Sequence, residues 1–228
     1  MIVSVNIADV GVRHALGLLS RPPKPKVVPG LRHVDVGITA PLSASLRKSP
    51  NLGRVGVVAF WDDDTALDAF LAADPRMALL ADGWSARLSP LRAHGSWPGL
   101  DADVPKTRTV AYQGPVVVLT LGRLRLSQTV RFLRASAKAE GAAATADGLI
   151  WATGLARPPL VATCSLWESS AAAQTYAYGH SDGDTPHADA IQAGNAKPFH
   201  QREAFIRFRP EVISGGLRGA NPLPADDA

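Results

Sequence analysis

The sequence predicts an α+β protein in which two similar halves, each a small sheet with helices, pack against each other. Three observations support this fold class. The 228-residue chain is 46% hydrophobic and 19% charged, which is typical of a globular protein and argues against global disorder. Strand-like and helix-like patterns alternate along the chain. A strand–helix pattern near residue 61 also recurs near residue 167.

The N-terminal half opens with a predicted strand over residues 2–8, where apolar and polar side chains alternate. Residues 21–30 contain four prolines and predict a loop. A strongly apolar strand follows over 55–61, and Asp62–Asp64 open a helix because acidic groups in a first turn are favoured by the helix dipole. Residues 84–94 predict the next strand.

The C-terminal half repeats this plan. Residues 115–124 predict a strand, and Ser127 predicts the N-cap of the helix that follows. Two further strands are predicted over 148–155 and 160–167, with a helix from about residue 169.

The remaining segments complete the predicted half. Thr185–Pro186 restarts a helix with favourable N-cap and N1 residues, and 204–209 alternates as a last strand. The sequence thus predicts halves at 1–97 and 114–212, joined by a Gly/Pro-containing linker at 98–113. A Gly/Pro-rich tail at 213–228 is predicted to be disordered.

An internal repeat fixes the predicted architecture. Residues 58–72 align with 164–178, so that Trp61 falls on Trp167 and Phe70 on Tyr176. Each half then has the order β-α-β-β-α-β, which is the ferredoxin-like order. Two such sheets bury their apolar faces by packing together, and we expect a fused, pseudo-dimeric α+β barrel. Chance similarity over a short pattern is the alternative.

Charge and cysteine content exclude several functional classes. The net charge is +4, but the basic residues are scattered and form no stripe with interleaved aromatic residues, so no nucleic-acid partner is expected. The single cysteine, Cys164, excludes an internal disulfide and is interpreted as a buried apolar side chain. The sequence shows neither a signal-peptide pattern nor a long apolar run, which predicts a cytoplasmic protein. The positive charge is compatible with peripheral contact with an anionic membrane surface.

Three segments resemble the spheroidene monooxygenase family, whose members are carotenoid oxygenases. The first is residues 119–132, including Thr120, Arg125 and Arg131. The second runs from Ala146 to Glu168, and the third comprises 187–191 followed by Glu203, Phe205, Arg207 and Phe208. The resemblance covers roughly residues 115–209, while the N-terminal half matches only in pattern. Lys197–His200 and the insertion-like 179–184 depart from the family pattern.

The resemblance implies a fused dimeric α+β barrel and a haem cofactor, and haem requires an axial donor. His187 is the first candidate because Ala190 and Ile191 lie on the same helical face, and because a first-turn position disfavours the imidazolium form. A satisfied core or capping histidine is the alternative. His180, in a predicted break, and His200, at a position that is aromatic in the family, are weaker candidates.

Arginines and aromatic residues complete the expected pocket. Arg125 and Arg207 are interpreted as strand residues that hold a carboxylate of haem or of a substrate; solvated strand arginines are the alternative. Trp151, Phe205 and Phe208 are candidates to line a slot for a flat or elongated apolar ligand, although core packing is the default for single aromatic residues on strands.

These observations predict a haem-dependent monooxygenase acting on an apolar isoprenoid or carotenoid-like substrate and requiring an electron donor. Two alternatives stay open at this point. The first is a cofactor-free or non-catalytic ligand-binding protein with the same fold. The second is a haem enzyme of another reaction class.

Overall fold

The chain forms a closed barrel of eight antiparallel strands. The computed structural model describes residues 1–41, 50–143, 145–179 and 198–216. The strands are β1 (Ile2–Asp9), β2 (Leu31–Ala40), β3 (Asn51–Trp61), β4 (Trp84–Gly95), β5 (Val116–Leu124), β6 (Leu149–Arg157), β7 (Leu160–Trp167) and β8 (His200–Ser214). The helices described are α1 (Gly11–Ser20), α2 (Asp64–Ala73), α3 (Thr129–Ala143) and α4 (Ser170–Tyr178).

The order of elements is β-α-β-β-α-β in each half, as the sequence predicts. Around the barrel the strands follow the order β1-β3-β2-β6-β7-β5-β8-β4, so each half contributes four adjacent strands. The α+β barrel is therefore confirmed, whereas its origin by duplication stays a prediction.

Two seams join the halves, and they differ in length. At one seam β4 pairs with β8 from Ser85–Ser214 to Gly95–Ala204, along nearly the whole of β4. At the other, β2 pairs with β6 only over residues 38–40 and 154–156. The β4–β8 seam is therefore the main connection between the halves.

Strand alternation divides the side chains into a lumen set and an outer set. The lumen is packed with apolar side chains from both halves, including the fully buried Val5, Phe60, Leu119 and Ile206. Outside the barrel, one apolar cluster lies beneath α1 and α2, and a smaller one lies beneath α4.

Local chemistry explains where the helices begin. Asp63 caps α2 by accepting a hydrogen bond from the backbone N–H of Ala66 at 2.9 Å, and Ser169 caps α4 in the same way. The prediction of Ser127 as an N-cap is wrong. Ser127 lies inside a short 3-10 turn over Leu126–Gln128, and α3 begins directly after it.

The last strand is longer than predicted. β8 begins at His200 and ends at Ser214, because its pairing with both β4 and β5 extends the ladder well beyond the alternating core at 204–209. It therefore runs into the segment predicted as a disordered tail. The helix predicted at Thr185–Pro186 lies outside the described residues.

The segment that connects β4 to β5 also contributes side chains to the lumen core. Trp97 and Val104 are buried and pack against the lumen cluster, and Leu100 packs beside them. Among the helices of the described ranges, none is both long and apolar enough to cross a membrane.

Replacing Trp61 tests the packing of the apolar cluster beneath α1 and α2. The Trp61 side chain is 1% exposed and packs against Phe70, with the ring centres 5.1 Å apart and the planes tilted by 43°. Its Nε1–H donates to Ser4 Oγ at 3.0 Å. We expect Trp61→Ala to lower the free energy of unfolding by about 3–5 kcal/mol, because it leaves a large cavity. Urea denaturation measures the change, and Leu52→Ala, at a side chain that is 57% exposed, is the control. A loss below 1 kcal/mol for Trp61→Ala would contradict the packing described.

Candidate functional site on the outer face of the C-terminal sheet

The chemically distinctive side chains lie on the outer face of the C-terminal sheet. On β8, Ala204, Ile206 and Phe208 belong to the lumen cluster. Because successive side chains of a strand point to opposite faces, Phe205 and Arg207 lie on the outer face. α4 packs over this face of the sheet.

Two buried arginines face each other across the β4–β8 seam. Arg92 of β4 is the register partner of Arg207 of β8, and each is only 6% exposed. Arg207 donates Nη1–H to Ser170 Oγ at 2.6 Å, and Arg92 donates Nη2–H to the carbonyl of Lys106 at 3.4 Å. The Nε atom of Arg92 is buried without a hydrogen-bond partner.

No carboxylate within the described ranges pairs with either of these guanidinium groups. Burial, and after it the neighbouring positive charge of Arg92, lowers the pKa of Arg207. The two like charges are thus desolvated and repel each other, an arrangement that favours binding of an anion.

His200 and Glu203 form a second polar pair at the start of β8. His200 Nδ1 lies 2.8 Å from Glu203 Oε2, and this hydrogen bond is the first cause of the lowered pKa of Glu203. When Nδ1 donates its hydrogen to the carboxylate, Nε2 keeps its lone pair. Nε2 is buried and has no partner among the described atoms. A histidine held in this way presents one ring nitrogen that can bind a metal.

Gly122 of β5 makes room for the imidazole. A Cβ added at this position would lie 2.6 Å from Cδ2 and 2.7 Å from Nε2 of His200. From the other side, the ring of Phe132 on α3 meets the imidazole edge-on, with centres 5.2 Å apart. The histidine is therefore held between β5 and α3.

The helices over the sheet contribute a half-buried tyrosine. Tyr176 of α4 stacks on Trp167 with ring centres 5.0 Å apart and donates its hydroxyl hydrogen to the carbonyl of Ala139 at 3.0 Å. Burial, and then the negative charge of Glu140, raises the pKa of Tyr176. Tyr176 is therefore a neutral hydrogen-bond donor at physiological pH.

The structure separates the two predicted carboxylate-binding arginines. Arg125 is not a strand residue, because β5 ends at Leu124, and its side chain is exposed and donates Nε–H to the carbonyl of His200 at 3.1 Å. Arg207 lies farther along β8, next to Arg92 instead of Arg125. The partner of Arg207 in the site is therefore a residue that the sequence did not indicate.

The three aromatic residues predicted to line one slot lie on two faces of the sheet. Phe208 is fully buried in the lumen, and Trp151 packs against the lumen cluster with its ring 5.4 Å from that of Trp84. Phe205 lies on the outer face, where its ring centre is 6.3 Å from that of His94. The prediction of a single slot is thus wrong, because neighbouring strand positions alternate between faces.

The remaining candidate residues divide between described and undescribed parts of the chain. His180 and His187 lie outside the described residues. Cys164 is fully buried in the lumen, as expected of an apolar side chain, and burial raises the pKa of its thiol to about 12. Within the described ranges, no group of three or more His, Cys, Asp or Glu side chains could hold a metal ion.

A satisfied polar cluster lies at one end of the lumen. Asp35 is 4% exposed and accepts hydrogen bonds from Nε1–H of Trp97 at 2.8 Å and from His33 Nε2 at 3.0 Å. Its carboxylate fixes Trp97 against the lumen core. The contacts of Asp35 therefore account for its burial, in contrast to those of Arg92 and Arg207.

An open groove of about 610 Å³ lies beside the end of α2 and the 3-10 turn over Pro75–Leu79, and Asn6 of β1, Ser85 of β4 and Ser214 of β8 also line it. Its lining includes Asp74 as the single charged side chain and no histidine or arginine. It therefore lacks the donors that an iron atom or a carboxylate requires.

Arg92 and Glu203 are site residues that sequence reasoning missed. Arg92 carried a weak signal, an arginine between Leu91 and Ala93 in a predicted strand, but its pairing with Arg207 depends on barrel closure. Glu203 carried a clearer signal, since it stands three residues after His200 at a position matching the family pattern.

Comparison with known proteins identifies two similar sequences and one similar structure. No protein-family model matches the chain. The chain is 30% identical over 176 residues to spheroidene monooxygenase of Rubrivivax gelatinosus, a match that covers 75% of the chain and 65% of that protein. The resemblance to the spheroidene monooxygenase family is confirmed. The enzyme of the same name from Rhodobacter capsulatus is 29% identical over 139 residues, covering 60% of the chain and 56% of that protein.

The matches span less than two thirds of the length of these spheroidene monooxygenases. Among solved structures, an aldoxime dehydratase in complex with butyraldoxime aligns with a TM-score of 0.52 and 8% identity, over 92% of this chain and 79% of that one. This similarity supports the barrel fold alone.

Replacing Gly122 tests the packing of His200. We expect Gly122→Ala to displace the imidazole and to lower the free energy of unfolding by about 1–3 kcal/mol, because the new Cβ overlaps two ring atoms. Chemical denaturation measures the cost. Gly154→Ala in β6 is the matched control, since its added Cβ would meet the nearest atom at 3.4 Å. Equal costs in the two variants would contradict the placement of His200.

The lowered pKa of Glu203 predicts that the free energy of unfolding depends on pH. Its folded pKa is lowered, so its stabilising contribution is fully present above the unfolded pKa of about 4.3 and is lost as the pH falls through the folded value. We expect Glu203→Gln to reduce the fall in unfolding free energy below about pH 4.3, by less than about 1 kcal/mol because the carboxylate is 46% exposed. Denaturation from pH 2.5 to 6 measures this slope, with the exposed Glu168→Gln as control. An unchanged slope would argue against the His200–Glu203 pair.

Proposed function

We propose that this chain is a haem-dependent monooxygenase that inserts oxygen into an apolar, carotenoid-like substrate. The observation that carries this proposal is the 30% identity over 176 residues to a protein named spheroidene monooxygenase. The chemistry of the outer face of the C-terminal sheet supports the finer parts of the proposal, namely haem, substrate and electron donor.

The side chains on this face are compatible with haem. His200 offers a buried Nε2 without a partner, backed by a carboxylate on Nδ1, which is the environment that fixes the tautomer of a metal-binding histidine. Arg207 offers a buried guanidinium whose fork matches the carboxylates that haem carries. It lies seven positions from His200 along β8, roughly 20 Å at about 3.3 Å per residue, so His200 and Arg207 are alternative contacts and do not hold the same haem. His187 stays a candidate axial donor from the sequence.

Haem, when bound, supplies oxygen activation, and the residues of the chain provide its environment. Glu203 holds the proton of His200 on Nδ1 and keeps Nε2 free. Phe132 and Phe205 present apolar rings beside the polar pairs, which favours exclusion of water and binding of an apolar substrate. Tyr176 of α4 holds its proton and remains uncharged, because burial raises its pKa.

The reaction balance requires a second protein or small molecule. One atom of O2 enters the substrate, and the other leaves as water after taking up two electrons and two protons. An electron donor is therefore part of the proposal. Contact with an anionic membrane surface, where apolar substrates accumulate, stays a prediction from the net charge of +4.

An absorption spectrum tests the cofactor and its ligand. The chain is expressed with haem supplied, and a Soret band in the purified protein is the expected result. His187→Ala and His200→Ala identify the axial donor, because loss of that ligand shifts or abolishes the band. The exposed His14→Ala in α1 is the matched control. A folded protein without a Soret band would refute the haem proposal and favour cofactor-free ligand binding.

An isotope experiment tests the activity. The haem-loaded chain is incubated with spheroidene, a chemical or enzymatic reductant and 18O2, and we expect one 18O atom in the product by mass spectrometry. His200→Ala or His187→Ala, whichever removes the axial ligand, should reduce turnover by more than about 100-fold, since oxygen activation depends on the iron environment. Haem binding without incorporation of 18O into any carotenoid tested would favour a haem enzyme of another reaction class.

A further inference from the structure

We propose that Arg92 and Arg207 together form a carboxylate-binding clamp across the β4–β8 seam, with one arginine supplied by each half of the barrel. The clamp extends the proposed function, because it assigns the N-terminal half a direct part in ligand binding. That the carboxylate belongs to haem rests on the proposed function; the clamp itself rests on the geometry.

The first argument is the burial of two like charges. Both side chains are 94% buried, and they occupy opposite positions in adjacent antiparallel strands. At such positions the Cβ atoms lie about 4.5–5.5 Å apart, and like charges there are destabilising. Buried charges in folded proteins are normally paired. A ligand with negative charge relieves both the desolvation and the repulsion.

The second argument is the unused hydrogen-bonding capacity. Each guanidinium carries five N–H donors. Among the described residues, Arg207 donates to Ser170 Oγ, and Arg92 makes one long hydrogen bond to the Lys106 carbonyl. The buried Nε of Arg92 has no acceptor among the described atoms. Two planar forks side by side suit an oxygen acid that accepts several hydrogen bonds at once.

The third argument concerns the surroundings, which favour a carboxylate on an otherwise apolar molecule. Val118 is the register partner of Arg207 on β5, and Leu91 precedes Arg92 and packs on the apolar cluster beneath α4. Phe205, two residues before Arg207, lies on the same face of β8. The charge of the ligand is therefore met at one point and its body by apolar side chains, as for a porphyrin bearing carboxylates at one edge.

The location has a consequence for assembly of the site. Arg92 belongs to β4 and Arg207 to β8, so the clamp exists only when the seam between the halves is paired. Ser170 at the start of α4 adds a hydroxyl from the C-terminal half. Arg92 of the N-terminal half thus completes a site of the C-terminal half, and the 176-residue match to spheroidene monooxygenase is too long to lie in the C-terminal half alone.

Ligand titration with the full chain tests the clamp. Spectral titrations compare haem with haem dimethyl ester, in which both carboxylates are masked. We expect the wild-type chain to bind haem about 10-fold or more tightly than the ester, since charge-assisted hydrogen bonds of this kind contribute at least that factor. Arg92→Gln and Arg207→Gln should lose this preference and bind the two compounds alike.

A second measurement does not require haem. Thermal unfolding is followed with and without sodium succinate, against sodium chloride at equal ionic strength. We expect succinate to raise the melting temperature of the wild type and not of Arg92→Gln or Arg207→Gln. Without ligand, both variants should be at least as stable as the wild type, because each removes a repelling buried charge. Arg209→Gln, at an exposed arginine on the same strand, is the matched control and should behave as wild type.

The outcomes separate the sources of the carboxylate. Preference for haem over its ester identifies the cofactor. Absence of haem binding, together with succinate stabilisation that depends on both arginines, refutes the proposed cofactor and keeps the clamp for a small carboxylate. Equal binding of haem and ester without any succinate effect overturns the clamp, as does the absence of both haem binding and a succinate effect. A marked loss of ligand-free stability in both variants would also overturn it, because the arginines would then be paired within the chain.

Discussion

Pairing of β4 with β8 is the constraint on which the rest of the structure depends. Each four-stranded sheet alone would leave two edges and one apolar face exposed to water. The β4–β8 ladder runs along nearly all of β4, whereas the β2–β6 ladder that closes the barrel covers only a few residues. The long seam thereby buries the lumen core from both halves and fixes the register of the outer face. The same register brings Arg92 opposite Arg207.

The barrel buries polar groups both with and without hydrogen-bond partners, and Trp84 Nε1 in the lumen is one of those without a partner among the described residues. In the lumen, the buried carboxylate of Asp35 makes hydrogen bonds with Trp97 and His33. These hydrogen bonds stabilise the end of the barrel. On the outer face, Arg92 and His200 retain nitrogen atoms without partners among the described residues. Buried groups left unsatisfied cost stability, and such groups concentrate where a ligand satisfies them.

The fold and the sequence similarity support different conclusions about this chain. A barrel of this kind is shared with an aldoxime dehydratase that is only 8% identical, so the fold does not specify a reaction. The similarity to spheroidene monooxygenases narrows the chemistry to oxygenation as a proposal. Side chains on the outer face of the C-terminal sheet connect the two, because they combine a carboxylate-backed histidine with buried guanidinium groups.

The sequence by itself determined the order of elements, because the apolar periodicity of each strand and helix is local, as in the strand ending at Trp61 and the helix capped at Ser169. It also predicted that Cys164 is a core residue, which the structure confirms, and it named Arg207 and, as a weaker candidate, His200 for the proposed site. Only the tertiary structure decided which side chains meet. Arg125 fell outside β5, Phe205 and Phe208 fell on opposite faces, and Arg92 became the neighbour of Arg207. The meeting of Arg92 and Arg207 depends on register between strands more than 100 residues apart, and local periodicity carries no information about such pairing.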